Sequence, residues 1–173
     1  MAEPHPLVAQ LRFARSEFAR GIHAVPEDHA RIRLGPMNCL SWNVGHLAAH
    51  EQRQFLSLPQ GVTPFPDIDR EFSYGAPGST PELSRVLDAW HKITTAADPW
   101  LDALTTRTLQ DHLVRDGRPT RRTYGNMLQR AIYHYWFHTG ENLAIRQQLG
   151  HTELPEFVGD LDDEAPYRPE APA

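Results

Sequence analysis

No segment restricts the fold of this chain more than Leu128 to His151, which reads LQRAIYHYWFHTGENLAIRQQLGH. It contains no proline. Leu128, Ala131, Ile132, Tyr135, His138, Asn142, Ile145 and Leu149 recur at three- and four-residue steps, the stripe of a helix that buries one side. Thr120 or Thr123 offers an N-cap, and Gly150 a C-terminal stop. A helix striped in this way must be covered by other elements. The same segment sends two imidazoles from one side, because His134 and His138 are four residues apart in a helical pattern.

Three further segments carry a helical stripe. Leu7, Leu11, Ala14, Phe18 and Ile22 predict a first helix between Pro6 and Ala24, ended by Pro26. A second is expected to be capped by Asn38 and to carry Leu40, Val44, Leu47, Ala48, Phe55 and Leu58 up to Pro59 and Gly61. Thr80-Pro81-Glu82 joins a hydroxyl cap, a proline at the first helical position and an acid at the positive end of the dipole. It starts a third helix through Leu83, Val86, Leu87, Trp90, Ile93 and Ala97. Asp98-Pro99 repeats the signal and predicts a short separate turn carrying Trp100, Leu101 and Leu104.

The connecting segments have no period. Residues 59–78 read as a long loop between helices two and three. Arg115 to Arg122 read as a basic loop around an Asp116-Gly117 turn. After Thr152 the chain is rich in proline and acids, so residues 152–173 form a tail, draped on the domain or disordered, and residues 1–151 form the all-α domain.

A length of 173 residues is that of one domain, and 40% hydrophobic with 23% charged residues is the composition of a soluble globular chain. A net charge of −5 argues against duplex nucleic acid as the main partner, since phosphate neutralisation needs a basic face. No apolar run approaches the roughly 20 residues that cross a bilayer. The single cysteine, Cys39, has no partner for an internal disulfide, and the N-terminus has no signal-like core, so a cytoplasmic location is expected by default.

Ten histidines are present. His5, His23, His29, His91, His112 and His151 have no partner at helical spacing and are expected at the surface. A pair at that spacing on an apolar face can be two hydrogen-bonded, half-buried imidazoles, since leaving one unsatisfied costs about 1–3 kcal/mol. The mid-helix position of His134 and His138, and a second pair, His46 and His50, in the second helix, favour a divalent metal held between helices. The helical wheel does not choose between His46 and His50, and it places His50 nearer the stripe of Leu47 and Gln54. Glu141, about 20° from His134 on the wheel, is a fourth ligand, an orienting group or a surface carboxylate. Tyr135 follows His134 and Leu47 follows His46, so the HEXXH motif of metalloproteases is absent. The paired Glu-x-x-His motifs of di-iron bundles are absent too, which leaves a mononuclear site.

Trp42-Asn43-Val44-Gly45-His46-Leu47-Ala48 in a second helix, with His134-x-x-x-His138-Thr139-Gly140-Glu141 in a fourth, resembles the DinB/YfiT-like superfamily of metalloenzymes. The resemblance runs to about His151. It implies an up-and-down four-helix bundle in which three histidines, here His46, His134 and His138, hold a divalent ion, nickel or zinc. It also implies a homodimer, and for the members whose activity is known, thiol-dependent S-transfer or isomerisation with low-molecular-weight thiols.

Two functions follow as expectations. In the first, the chain is a metal-dependent enzyme in which a metal-bound thiolate or water attacks an electrophilic substrate. Arg118, Arg121 and Arg122 then meet an anionic substrate or are merely solvated, no catalytic side chain is singled out, and Cys39 is a small buried hydrophobe. In the second, the metal or the histidines stabilise a non-catalytic stress-response or interaction bundle, and a closed site filled by His50 or Glu141 would favour it. A homodimer is also expected from the residues, because Trp42, Trp90, Trp100, Trp136, Val44 and Phe55 add more apolar surface than four helices readily cover.

Overall fold

In the computed structural model, which describes residues 3–156 and 158–169, the four striped segments become α1 (Pro6–Ile22), α3 (Leu40–Glu51), α6 (Leu83–Asp102) and α8 (Tyr124–Gln148). Between them lie α2 (Glu27–Ala30), a π-helical segment (Gln52–Ser57) that runs into α4 (Leu58–Gln60), α5 (Pro66–Phe72), α7 (Thr106–Gln110), β1 (His112–Arg115) and β2 (Arg118–Thr123), with α9 (Leu161–Glu164) at the end. The chain is mostly helical, as the periodicity predicts. α1 packs on α8, and α3 packs on both α6 and α8. The core between them is built from Leu11 and Phe18, Val44 and Leu47, Val86 and Ile93, and Leu128 and Tyr135, all buried. Each such side chain removed from water is worth about 1.5–3 kcal/mol, which is why the stripes face one another.

α8 is bounded as its sequence demands. The Thr123 hydroxyl accepts the Asn126 N–H at 3.2 Å, so Thr123, not Thr120, is the cap. At the other end Gly150 takes φ 80°, and the Gly150 and His151 amides bond the Gln147 and Arg146 carbonyls at 3.0 Å each. That is a Schellman closure, which glycine enters without a Cβ penalty.

Several boundaries differ from expectation, each for a local reason. The residue flanking α3 is Cys39 rather than Asn38, with no side-chain cap. α6 begins at Leu83, because the Leu83 N–H is taken by the Glu27 carboxylate at 2.7 Å; an acid from α2 replaces the Thr80 cap. Pro99 does not restart a helix: α6 runs through it to Asp102. Pro99 removes one hydrogen bond in the last turn, and that turn is held by Asp98 pairing with Arg12 and Arg15 and by buried Leu101. The long loop between α3 and α6 contains α5, started by Pro66 with Asp67 and Asp69 in its first turn. Gln52 pins it, its amide donating to the Phe65 carbonyl at 2.9 Å and to Asp69 at 3.0 Å.

The basic loop is a hairpin. β1 and β2 pair antiparallel with Arg115 opposite Arg118, and Asp116 and Gly117 turn between them at φ 51° and 72°, the two-residue turn whose twist suits a hairpin. The described part of the tail lies against α1: the Gly159 N–H donates to Glu17 at 2.7 Å and Gln10 donates to the Ala165 carbonyl at 2.8 Å. Of the histidines expected at the surface, His23, His91 and His112 are exposed. The others have partners that spacing cannot show: His5 contacts Thr106 at 3.1 Å, and His29 meets His151 at 2.8 Å.

Candidate metal centre

α3 and α8 cross so that His46, His134 and His138 each bring a ring nitrogen to one place, all three within 4.8 Å of one another. His138 is buried at 6% exposure, and His134 and His46 are half-buried. His138 Nδ1 lies 2.7 Å from the Glu141 carboxylate. A carboxylate accepts, so the ring proton sits on Nδ1 and the Nε2 lone pair is free. That Nε2 is 3.0 Å from His134 Nε2. His46 Nδ1 donates to the Phe72 carbonyl at 2.7 Å, which frees its Nε2 in the same way.

The neighbours hold these rings in place. Trp42 stacks on His46 with centroids 5.0 Å apart and planes 13° from parallel. Asn43 donates to Glu141 at 3.0 Å and to Asn142 at 2.8 Å, fixing the carboxylate that orients His138. Gly45 lets α5 approach: a Cβ there would lie 2.7 Å from Cγ of Phe72, the residue whose carbonyl holds His46.

Burial favours the neutral form of His46, His50 and His134. Burial lowers the pKa of His46 against the opposing hydrogen bond to Phe72. Burial, with His50 and His138 beside it, pushes His134 down to about 2. Burial and the nearby His46 and Arg130 push His50 down to about 3. Neutral imidazole is the form that binds a metal. Three imidazole nitrogens on a shared divalent ion at about 2.0–2.1 Å would lie roughly 3.3 Å apart, close to the 3.0 Å between His134 and His138, so the donor set suits a metal ion.

The other sequence candidates separate. His50 lies beside the three, its ring 4.4 Å from that of His134, but outside the convergent group; its Nδ1 is buried without a hydrogen-bond partner among the described residues. Glu141 orients His138. An open cleft of about 1250 Å³ reaches His46, His50 and His134 and is also lined by Arg121 and Arg122. Arg118, expected with them, lies exposed at the start of β2 and does not line it. Arg53 and Arg130 do line it and were not singled out from the sequence, although Arg130 precedes His134 by four residues and Arg53 follows His50 by three, spacings that share a helical face.

The sequence also gave no sign of a buried network behind the histidines. Arg15 donates to both Glu51 oxygens at 2.7 Å and to Asp98 at 2.8 Å. Tyr135 donates to Glu51 at 2.8 Å and accepts from Trp90 at 2.6 Å. Burial works to lower the pKa of Arg15, and the Glu51 charge and hydrogen bonds outweigh it, leaving it raised. Burial and then Glu51 hold Tyr135 well above its ordinary value.

The sequence profile of the DinB superfamily matches residues 10–141, a span that contains all three convergent histidines. The chain belongs to the DinB superfamily. No curated protein matches it closely enough to count as a relative. As a DinB-superfamily protein it has a three-histidine cluster able to hold a metal ion. Among its described residues, no helix is long and apolar enough to cross a membrane.

Proposed function

We propose that this DinB-superfamily chain is a divalent-metal-dependent enzyme on an up-and-down four-helix bundle, transferring a low-molecular-weight thiol to an electrophilic substrate or using it in isomerisation. The observation that carries the reading is the convergence of His46, His134 and His138 within 4.8 Å beside an open cleft. A zinc or nickel ion held there by three neutral imidazoles would act as a Lewis acid and lower the pKa of a thiol or water in its remaining position. Glu141 and the Phe72 carbonyl orient His138 and His46 through their Nδ1 protons. The cleft admits the substrate, and Trp42, stacked on His46 and in edge contact with Phe72, packs apolar surface against that ring. The non-catalytic reading would need a protein group to fill the remaining position. Glu141 is committed to His138 and His50 lies outside the convergent group, which supports the enzyme.

The test begins with metal analysis of the purified protein, where roughly one divalent ion per chain is expected in wild type and none in His134→Ala. The loaded protein is then screened with several low-molecular-weight thiols against electrophilic acceptors. Metal-dependent loss of free thiol is the expected result. Bound metal with no turnover in any combination would transfer support to the non-catalytic bundle.

We also propose a homodimer, on different residues from those the sequence indicated. Trp42, Trp90, Val44 and Phe55 are buried within the single chain and leave no surface for a partner, while Trp100 and Trp136 are half-buried. Tyr133 and Phe137, four apart on α8 and each 67% exposed, leave an apolar face. Sedimentation at about tens of micromolar should show a dimer that Phe137→Asp dissociates; a wild-type monomer at that concentration would count against it.

A further inference from the structure

The cleft that opens on the histidines is basic along its wall. Arg53 comes from the π-helical segment, Arg121 and Arg122 from β2, and Arg130 from α8, and no aspartate or glutamate is among the lining residues. Six arginines elsewhere, Arg12, Arg15, Arg20, Arg70, Arg85 and Arg168, each face a carboxylate. Among the described residues, none of the four cleft arginines forms an ion pair. The protein as a whole carries −5, so this positive charge is a local concentration, not a general trend. Four like charges gathered from three elements repel one another, and a cleft focuses their field on whatever enters.

We infer that this cleft binds a small ligand carrying at least two acid groups, carboxylate or phosphate, gripped by Arg53, Arg121, Arg122 and Arg130 while its other end reaches the histidines. The inference deepens the proposed thiol transfer only in assigning that other end to the reacting group; the grip itself stands on the arginines. A guanidinium presents a planar fork that matches carboxylate and phosphate oxygens in pairs. Gln54, Asn126 and Gln129 add neutral donors and acceptors to the same wall. A small molecule fits better than a nucleic acid strand, because the arginines converge on a pocket of about 1250 Å³, whereas a strand needs a basic track along a face.

The test is calorimetric titration of the full chain at low salt, metal-loaded and metal-free, with succinate, pyrophosphate and the neutral analogue succinamide. At least one dianion should bind in both forms and succinamide in neither, and the better dianion identifies the acid group as carboxylate or phosphate. Arg122→Gln with Arg130→Gln should weaken binding by roughly tenfold or more. Arg118→Gln, outside the cleft, should bind as wild type does, and all variants are checked for wild-type helical content. Equal affinity in the double variant and Arg118→Gln, equal binding of succinamide, or no dianion binding below about 10 mM would overturn the inference. Anion binding in a protein that transfers no thiol would sustain the grip and remove the thiol reading. Metal-dependent transfer from uncharged thiols, with no anion binding, would do the reverse.

Discussion

Glu51→Ala is expected to lower the stability of the metal-free protein by about 3–5 kcal/mol, the range for leaving a buried ion without its partner. Glu51 is fully buried, and both its oxygens are used by Arg15 while one also accepts from Tyr135. Alanine would strand a buried guanidinium, with only Asp98 left to face it. Tyr135→Phe should cost less, about 1–2 kcal/mol, because it removes a neutral donor and leaves the ion pair in place. A paired change, Arg15→Met with Glu51→Leu, should recover most of the loss, since an apolar pair of similar volume often replaces a buried ion pair without penalty. Urea unfolding with chelator present measures all three. If Glu51→Ala costs no more than Tyr135→Phe, the network does not hold the four helices in the way described.

That network also marks where sequence reading stops. The helices were legible because their apolar residues repeat at 3.6-residue spacing, and so was the placement of His134 and His138 on one side of α8, since a single helix fixes both. His46 and His50 are on another helix. What separates them is a carbonyl from α5 bonded to His46 and a glycine at 45 that lets α5 approach, and α5 lies in a stretch whose period is too short to read. Its start was nonetheless written in Pro66, Asp67 and Asp69. The hairpin was half legible: Asp116-Gly117 is a strong turn signal, but the flanking arginines give no alternation of apolar and polar residues. Arg15 and Glu51 carry no signal of their pairing, because nothing local distinguishes a charge that meets its partner 36 positions away. The four tryptophans show the same limit of local reading. Their surface is large, and Trp42 and Trp90 are buried within the chain while Trp100 and Trp136 stay half-buried, a division that spacing does not show.

His138→Ala should remove the metal and also destabilise the protein beyond metal loss. Its ring is 6% exposed and is bonded to Glu141, so alanine leaves a cavity and a carboxylate without its principal donor, together about 2–4 kcal/mol. His134 is half-buried and its Nδ1 has no hydrogen-bond partner among the described residues, so His134→Ala should lose the metal while keeping close to the stability of chelated wild type. Acid titration of the chelated wild type gives an independent check on the buried imidazoles. His134 is pushed down to about 2 and His50 to about 3, so between those values and 6.5 the unfolded chain binds protons that the folded one refuses. Stability should therefore be fully present above pH 6.5 and fall as the solution is acidified through that window, and the fall should be shallower in His134→Ala than in wild type. Metal should raise stability throughout the range where it stays bound without flattening the fall, because an occupied site refuses the protons that the unfolded chain takes up. Equal stability of the two alanine variants would refute the deeper placement of His138, and unchanged metal content in either would refute its role as a ligand.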